Sequence, residues 1–132
     1  MADKRQSSVP SAISRLPAVR HWRISFGVEF IRLPTFEKSA ARVFTESDVL
    51  ELELALILDP RAGDLIPAAR GLRKLRRPLP GRGKSGGARV IYYFVTAQDT
   101  ILLIHAYAKN RASDLPQAYL RTIAANVKAE FP

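Results

Sequence analysis

Residues 88–109 read ARVIYYFVTAQDTILLIHAYAK, and this stretch decides the fold. It holds two apolar runs, Ala88 to Thr96 and Thr100 to Lys109, parted only by Ala97-Gln98-Asp99. Branched and aromatic side chains favour extended backbone, and so short a break predicts an antiparallel hairpin. Period-two alternation then assigns faces. With Val90, Tyr92 and Phe94 packed against helices, Arg89, Ile91 and Tyr93 point the other way. With Leu102, Ile104 and Ala106 inward, His105, Tyr107 and Lys109 point outward.

Upstream of the hairpin, Gly71 to Arg77 is a further strand. Burying Leu75 turns Lys74 and Arg76 outward, and Leu72 then falls on the wrong side, so an irregular start is expected. Nearer the N-terminus, Ile24 to Leu33 alternates with Ile24, Phe26, Val28 and Phe30 on one face, a strand with one buried side that Pro34 ends. Thr35 is expected to cap a short helix, Phe36 to Phe44, with Phe36, Ala40 and Val43 inward. Thr45-Glu46-Ser47-Asp48 has the form of a capping box with Asp in place of Glu. The helix it opens carries a broad apolar stripe of Val49, Leu52 and Leu56, with Leu50, Leu54 and Ile57 beside it. Asp59-Pro60 ends it. A last helix is predicted from Asp114, as N-cap, to Phe131, with Leu115, Tyr119, Ile123 and Val127 on its apolar side.

The order β-α-α-β-β-β-α defines an α+β domain over residues 24–132, with a four-stranded antiparallel or mixed sheet, two helices on one face and a C-terminal helix. Residues 1–23 read as a basic, flexible tail broken by Ser7, Ser8, Pro10, Ser11 and Pro17, with Trp22 expected to dock on the domain.

Charge is segregated along the chain. The 132 residues carry a net charge of +9, with a pI near 10.5. From residue 65 to 98 there are eight arginines and lysines (Arg70, Arg73, Lys74, Arg76, Arg77, Arg82, Lys84 and Arg89) and no acid. From Glu37 to Asp59, six acids stand against two bases. An uncompensated basic stretch is suited to a polyanion. The absence of cysteine excludes a disulfide scaffold and any Cys-based metal site or nucleophile. The longest apolar run, Ile101 to Ala108, is far short of the roughly 20 residues of a membrane span. No secretory h-region is visible, so a cytoplasmic protein with no membrane partner is expected.

The outward set is Lys74, Arg76, Arg89, Tyr93, His105, Tyr107 and Lys109. Arginine forks bind phosphate oxygens and aromatic planes stack on bases. Cleavage of RNA by its own 2′-OH needs a proton acceptor, a proton donor and cations on the charged transition state. A lysine among cations is expected to lose its proton more readily, which suits a base. With no carboxylate expected on this face, a two-metal mechanism is disfavoured and no cofactor is expected. Gly81 to Gly87 contains Gly83-Lys84-Ser85, but Pro78 stands where a P-loop needs glycine and a strand follows where it needs a helix. Several residues also have plainer roles. A lone His105 in an apolar strand is commonly structural, and Tyr92 reads as core. Tyr93 divides evenly between packing and stacking. Arg73, on the Leu75 side, is expected to pack its stem and pair with a helix carboxylate, and Asn110 can simply begin a turn.

Leu58 to Ile66, Gly71 to Arg76, Gly83 to Tyr93, and Tyr107-Ala108-Lys109-Asn110 with Asp114-Leu115 follow in order the pattern of RelE/HigB-type toxins of bacterial type II toxin–antitoxin modules. The resemblance covers about residues 27 to 130. It implies a RelE-like fold and a ribosome-dependent, metal-independent mRNA endonuclease, an mRNA interferase. It implies as partners a cognate antitoxin protein and mRNA on the ribosome, with 16S rRNA contacts. By position it implies catalytic roles for Lys74, Lys84, Arg89, Tyr107 and Lys109. Arg73, Arg76, Arg77, Arg82, Tyr93 and Asn110 are the candidate RNA contacts. Pro116 stands where this subgroup carries a small hydroxyl residue, which leaves the proton donor open among Tyr107, Tyr93 and His105. The alternatives are a ParE-like toxin that poisons DNA gyrase without cutting, and a silent relative that binds only RNA or antitoxin.

Overall fold

A computed structural model describes residues 20–23, 27–79, 87–109 and 116–130. The described elements are β1 (Arg20–Arg23), β2 (Glu29–Arg32), α1 (Pro34–Ala40), α2 (Glu46–Leu58), β3 (Asp64–Leu65), β4 (Arg73–Arg77), β5 (Ala88–Val95), a 3-10 turn (Thr96–Gln98), β6 (Thr100–Ala108) and α3 (Gln117–Glu130). They form an α+β structure around one mixed sheet in the order β1-β2-β6-β5-β4-β3. All neighbours pair antiparallel except β2 and β6, which run parallel. The expected hairpin is β5–β6.

The sheet has six strands rather than the expected four. Asp64–Leu65 adds a short strand against β4. Arg20–Arg23 adds another, with Trp22 opposite Phe30, so the end of the expected tail belongs to the sheet edge. Residues 1–19 lie outside the described residues.

Helices cover both faces. On one side α1 and α2 pack over Phe30, Val90, Tyr92, Ile101 and Leu103. On the other, Leu120, Ala124 and Val127 of α3 cover Ile31, Ile91, Tyr93, Leu102 and Ile104. Two cores explain why β2 is buried along its whole length instead of on one face. They also explain Leu72: the side that looked wrong for it is the core under α3. In α3 the buried row is Leu120, Ala124 and Val127, while Tyr119 is exposed. Asp114 and Leu115 lie outside the described residues.

Two helix starts differ in kind. Pro34 does not merely end β2; it occupies the first turn of α1, with Leu33 as N-cap and no side-chain cap, a position where a missing N–H costs nothing. At α2 the capping box forms as read: Thr45 Oγ1 accepts from the Asp48 amide at 3.0 Å, and Asp48 Oδ2 accepts from the Thr45 amide at 2.9 Å. The apolar stripe of α2 is narrower than expected. Val49, Leu52 and Leu56 are buried and Ile57 packs partly against them, whereas Leu50 and Leu54 are 43% and 51% exposed.

Arg32 sits 2% exposed between the sheet and α2. Its Nε and Nη2 donate to the buried Glu53 carboxylate at 3.0 and 3.1 Å, and Nη1 donates to Glu46 at 3.1 Å. Burial alone would weaken the guanidinium's hold on its proton; the hydrogen bonds and charges of Glu53 and Glu46 outweigh it and raise the pKa. Tyr92 ties α2's exit to the sheet. Its hydroxyl donates to Pro60 O at 2.8 Å and accepts from the Gly63 amide at 2.9 Å. Burial pushes the phenol above its ordinary value, with the Gly63 hydrogen bond and Arg73 opposing. Among the described residues no helix is long and apolar enough to cross a membrane.

Candidate nucleic-acid interface

Strand register builds the basic face row by row. Arg76 of β4 lies directly opposite Arg89 of β5, and Arg89 lies opposite Tyr107 of β6. One step along, Lys74 faces Ile91, which faces His105. Directly paired side chains on one face have Cβ atoms about 5 Å apart. Lys74, Arg76, Arg89, His105 and Tyr107 therefore form one compact grid. Lys109, whose amide donates to Gly87 O at 3.1 Å, continues it beside the start of β5.

A bulge makes this grid possible. Tyr92 pairs with Leu103, but Ile91 pairs with His105, so Ile104 is an extra residue in β6. The expected inward set of that strand is thereby split. Leu102 and Ile104 pack under α3, while Ala106 packs under α1 and α2. The shift leaves His105 and Tyr107 on the Arg89 face. Two hydroxyls of α1 hold the interrupted backbone. Thr35 Oγ1 donates to Ile104 O, and the Ala106 amide donates to Ser39 Oγ at 3.0 Å. Thr35 is thus an anchor to the sheet rather than the helix cap expected of it. Ser39 carries no expectation from sequence and Thr35 carries a different one; the one signal of their shared role is hydroxyl spacing of i, i+4 on a short helix.

Gly87 delivers β5 to the face. It adopts φ +71°, and a Cβ there would lie 2.5 Å from Arg77 O, so only glycine permits this approach.

The cations divide between faces. Lys74 and Arg76 are exposed on the grid side and Arg89 is half-buried. Arg73 and Arg77 pair with Tyr92 and Ala88, which places them on the opposite face. Among the described residues Arg73 meets no helix carboxylate; its Nη1 donates to Gly63 O at 2.7 Å and Arg61 O at 3.3 Å. The face is also less free of acid than expected, because Asp64 of β3 stands directly across from Lys74. Asp64 came too early in the chain to be read as part of it.

The aromatic residues separate as well. Tyr107 is buried, its ring centroid 5.9 Å from that of His105. Tyr93 is buried under α3 and lies toward the far end of β5, away from Arg89, which favours packing over stacking. Arg82, Lys84 and Asn110 lie outside the described residues. No known family model matches the chain.

Proposed function

We propose that this protein is a RelE-like toxin of a type II toxin–antitoxin module, acting in the cytoplasm as a ribosome-dependent mRNA endonuclease. The observation that carries the reading is the Arg76–Arg89 pair. Two cations directly opposed across strands repel each other, with Lys74 and Lys109 adding to the charge. Such an arrangement is unfavourable until an anion enters, and a scissile phosphate is the anion that suits it.

In this reading the 2′-OH of one nucleotide attacks the adjacent phosphorus. Lys74, or Lys84, accepts the hydroxyl proton. Arg89 and Arg76 hold the charge that builds on the non-bridging oxygens. The P–O5′ bond breaks, leaving a 2′,3′-cyclic phosphate, and the 5′ oxygen takes a proton from Tyr107 or His105. Lys109 holds the flanking phosphate. The grid's one described carboxylate, Asp64, stands at its edge, too few for a two-metal centre. A cognate antitoxin and the ribosome are the proposed partners.

Brief induction of wild type and Arg89→Ala, with mapping of mRNA 5′ ends and growth, tests the proposal. Cuts phased with codons that vanish in the variant support it. Growth arrest with DNA damage signalling and intact mRNA would favour gyrase poisoning instead.

A further inference from the structure

A second cationic feature lies at the opposite end of β5. β4 stops pairing at Arg73–Tyr92, so residues 93–95 of β5 have β6 on one side and no described strand on the other. An open cleft of about 450 Å³ runs along this end, a volume within the range of small-ligand sites. Arg61, Arg73 and Lys128 line it together with Tyr93, Phe94 and Gln98, and none of its described lining residues is acidic. Gly71 forms part of the wall at φ +102°, where a Cβ would strike the Tyr93 ring at 2.9 Å.

The cations are arranged for use. Arg73 is pinned through Nη1 by Gly63 O and Arg61 O, which fixes a planar fork before any ligand arrives. The Arg61 guanidinium sits over Phe94, 5.3 Å from the ring centroid. That contact puts a flat cationic and aromatic pair beside the fork. Lys128 approaches from α3. Three positive groups without a lining carboxylate favour a doubly charged phosphate over a single carboxylate, and the aromatic side suits a planar base.

We propose that this cleft binds one nucleotide through its phosphate and base, either a free 5′-nucleotide or the 5′-phosphorylated end of an RNA. The site is distinct from the Arg76–Arg89 face: its fork, Arg73, is on the opposite face of β4, three residues from Arg76, about 10 Å at strand rise, and the rest of the cleft extends from there toward Val95. It does not rest on the endonuclease reading.

Isothermal titration of the full chain with adenosine 5′-phosphate, adenosine, and a trinucleotide with and without a 5′-phosphate tests it. Saturable one-to-one binding of the 5′-phosphate, absent with adenosine, is expected. Arg61→Ala combined with Lys128→Ala, both at exposed positions, should weaken it at least about tenfold. Arg76→Ala with Arg89→Ala should leave it intact. Competition by the 5′-phosphorylated trinucleotide identifies an RNA end, and failure of that trinucleotide alone identifies a free nucleotide. The proposal is overturned if the nucleotide fails to bind at millimolar concentration. It is equally overturned if binding follows Arg76 and Arg89 rather than Arg61 and Lys128, or if a polyglutamate peptide binds where the nucleotide does not. Codon-phased cleavage in cells stands or falls independently of these titrations.

Discussion

Arg76 and Arg89 occupy directly opposed positions on one face of β4 and β5. Their repulsion is a cost to the free protein and an asset to the complex. Arg76→Gln should therefore raise the stability of the free protein by a few tenths of a kcal/mol, the size of a cross-strand pair term. The same change should weaken single-stranded RNA binding and reduce the slope of log affinity against log salt by about 0.7. Denaturant titration and binding at several salt concentrations measure the two effects. A loss of both stability and affinity would contradict the account.

The Arg32–Glu53 pair is enclosed, whereas Glu46 is 61% exposed. Removing one partner of an enclosed pair strands the other charge. Glu53→Ala is expected to cost about 3–5 kcal/mol, and Glu46→Ala under about 1 kcal/mol. Urea unfolding of the two variants checks the contrast, and equal effects would refute it.

Tyr92→Phe removes a hydroxyl that both donates and accepts within the protein, leaving Pro60 O and the Gly63 amide without that partner. A loss of about 1–3 kcal/mol is expected. The phenol's pKa is raised in the fold, so its protonated form is the one the native state prefers. That contribution is complete below the unfolded value of about 10 and is lost as pH rises through the folded value. Thermal melts between neutral and strongly alkaline pH should show a steeper alkaline decline in wild type than in the variant.

Thr35 and Ser39 anchor the bulged stretch of β6 from α1. Thr35→Val and Ser39→Ala should each cost about 1 kcal/mol. Hydrogen exchange should quicken at Ala106 and Tyr107 while α2 stays protected. Exchange that spreads evenly over the protein would show the hydroxyls to be ordinary stabilisers with no particular hold on this strand.

Much of the architecture was legible because its signals are local. The β5–β6 hairpin, the Thr45–Asp48 capping box, and the Val90, Tyr92 and Phe94 face all follow from spacing within a few residues. What escaped depends on contacts between distant segments. Ile104 becomes an extra residue only in pairing with β5, so strict alternation assigned it and Leu102 to the wrong core. Leu50 and Leu54 look like core from composition alone, yet two helices and a sheet leave them uncovered. Alternation puts Arg32 on the Phe30 side, but nothing local names the partner that makes its burial tolerable until Glu53, distant in sequence, is placed beside it. The site fared similarly. Lys74, Arg76, Arg89 and Tyr107 were brought together as read, while Asp64 and the Arg61–Arg73–Lys128 cleft arise from how strand ends meet.

The parallel pairing of β2 with β6 has a consequence for how the protein comes into being. β2 has as its neighbour on the inner side the last of the described strands, with Glu29 opposite Thr100, so the two partners are made far apart in time. Native contacts of such long range make folding slow and leave apolar edges exposed meanwhile. The basic grid needs β6 as well, since His105 and Tyr107 are its third column. Lys74, Arg76 and Arg89 are therefore made before the surface that uses them, which is complete only once Thr100–Ala108 has paired with both β5 and β2.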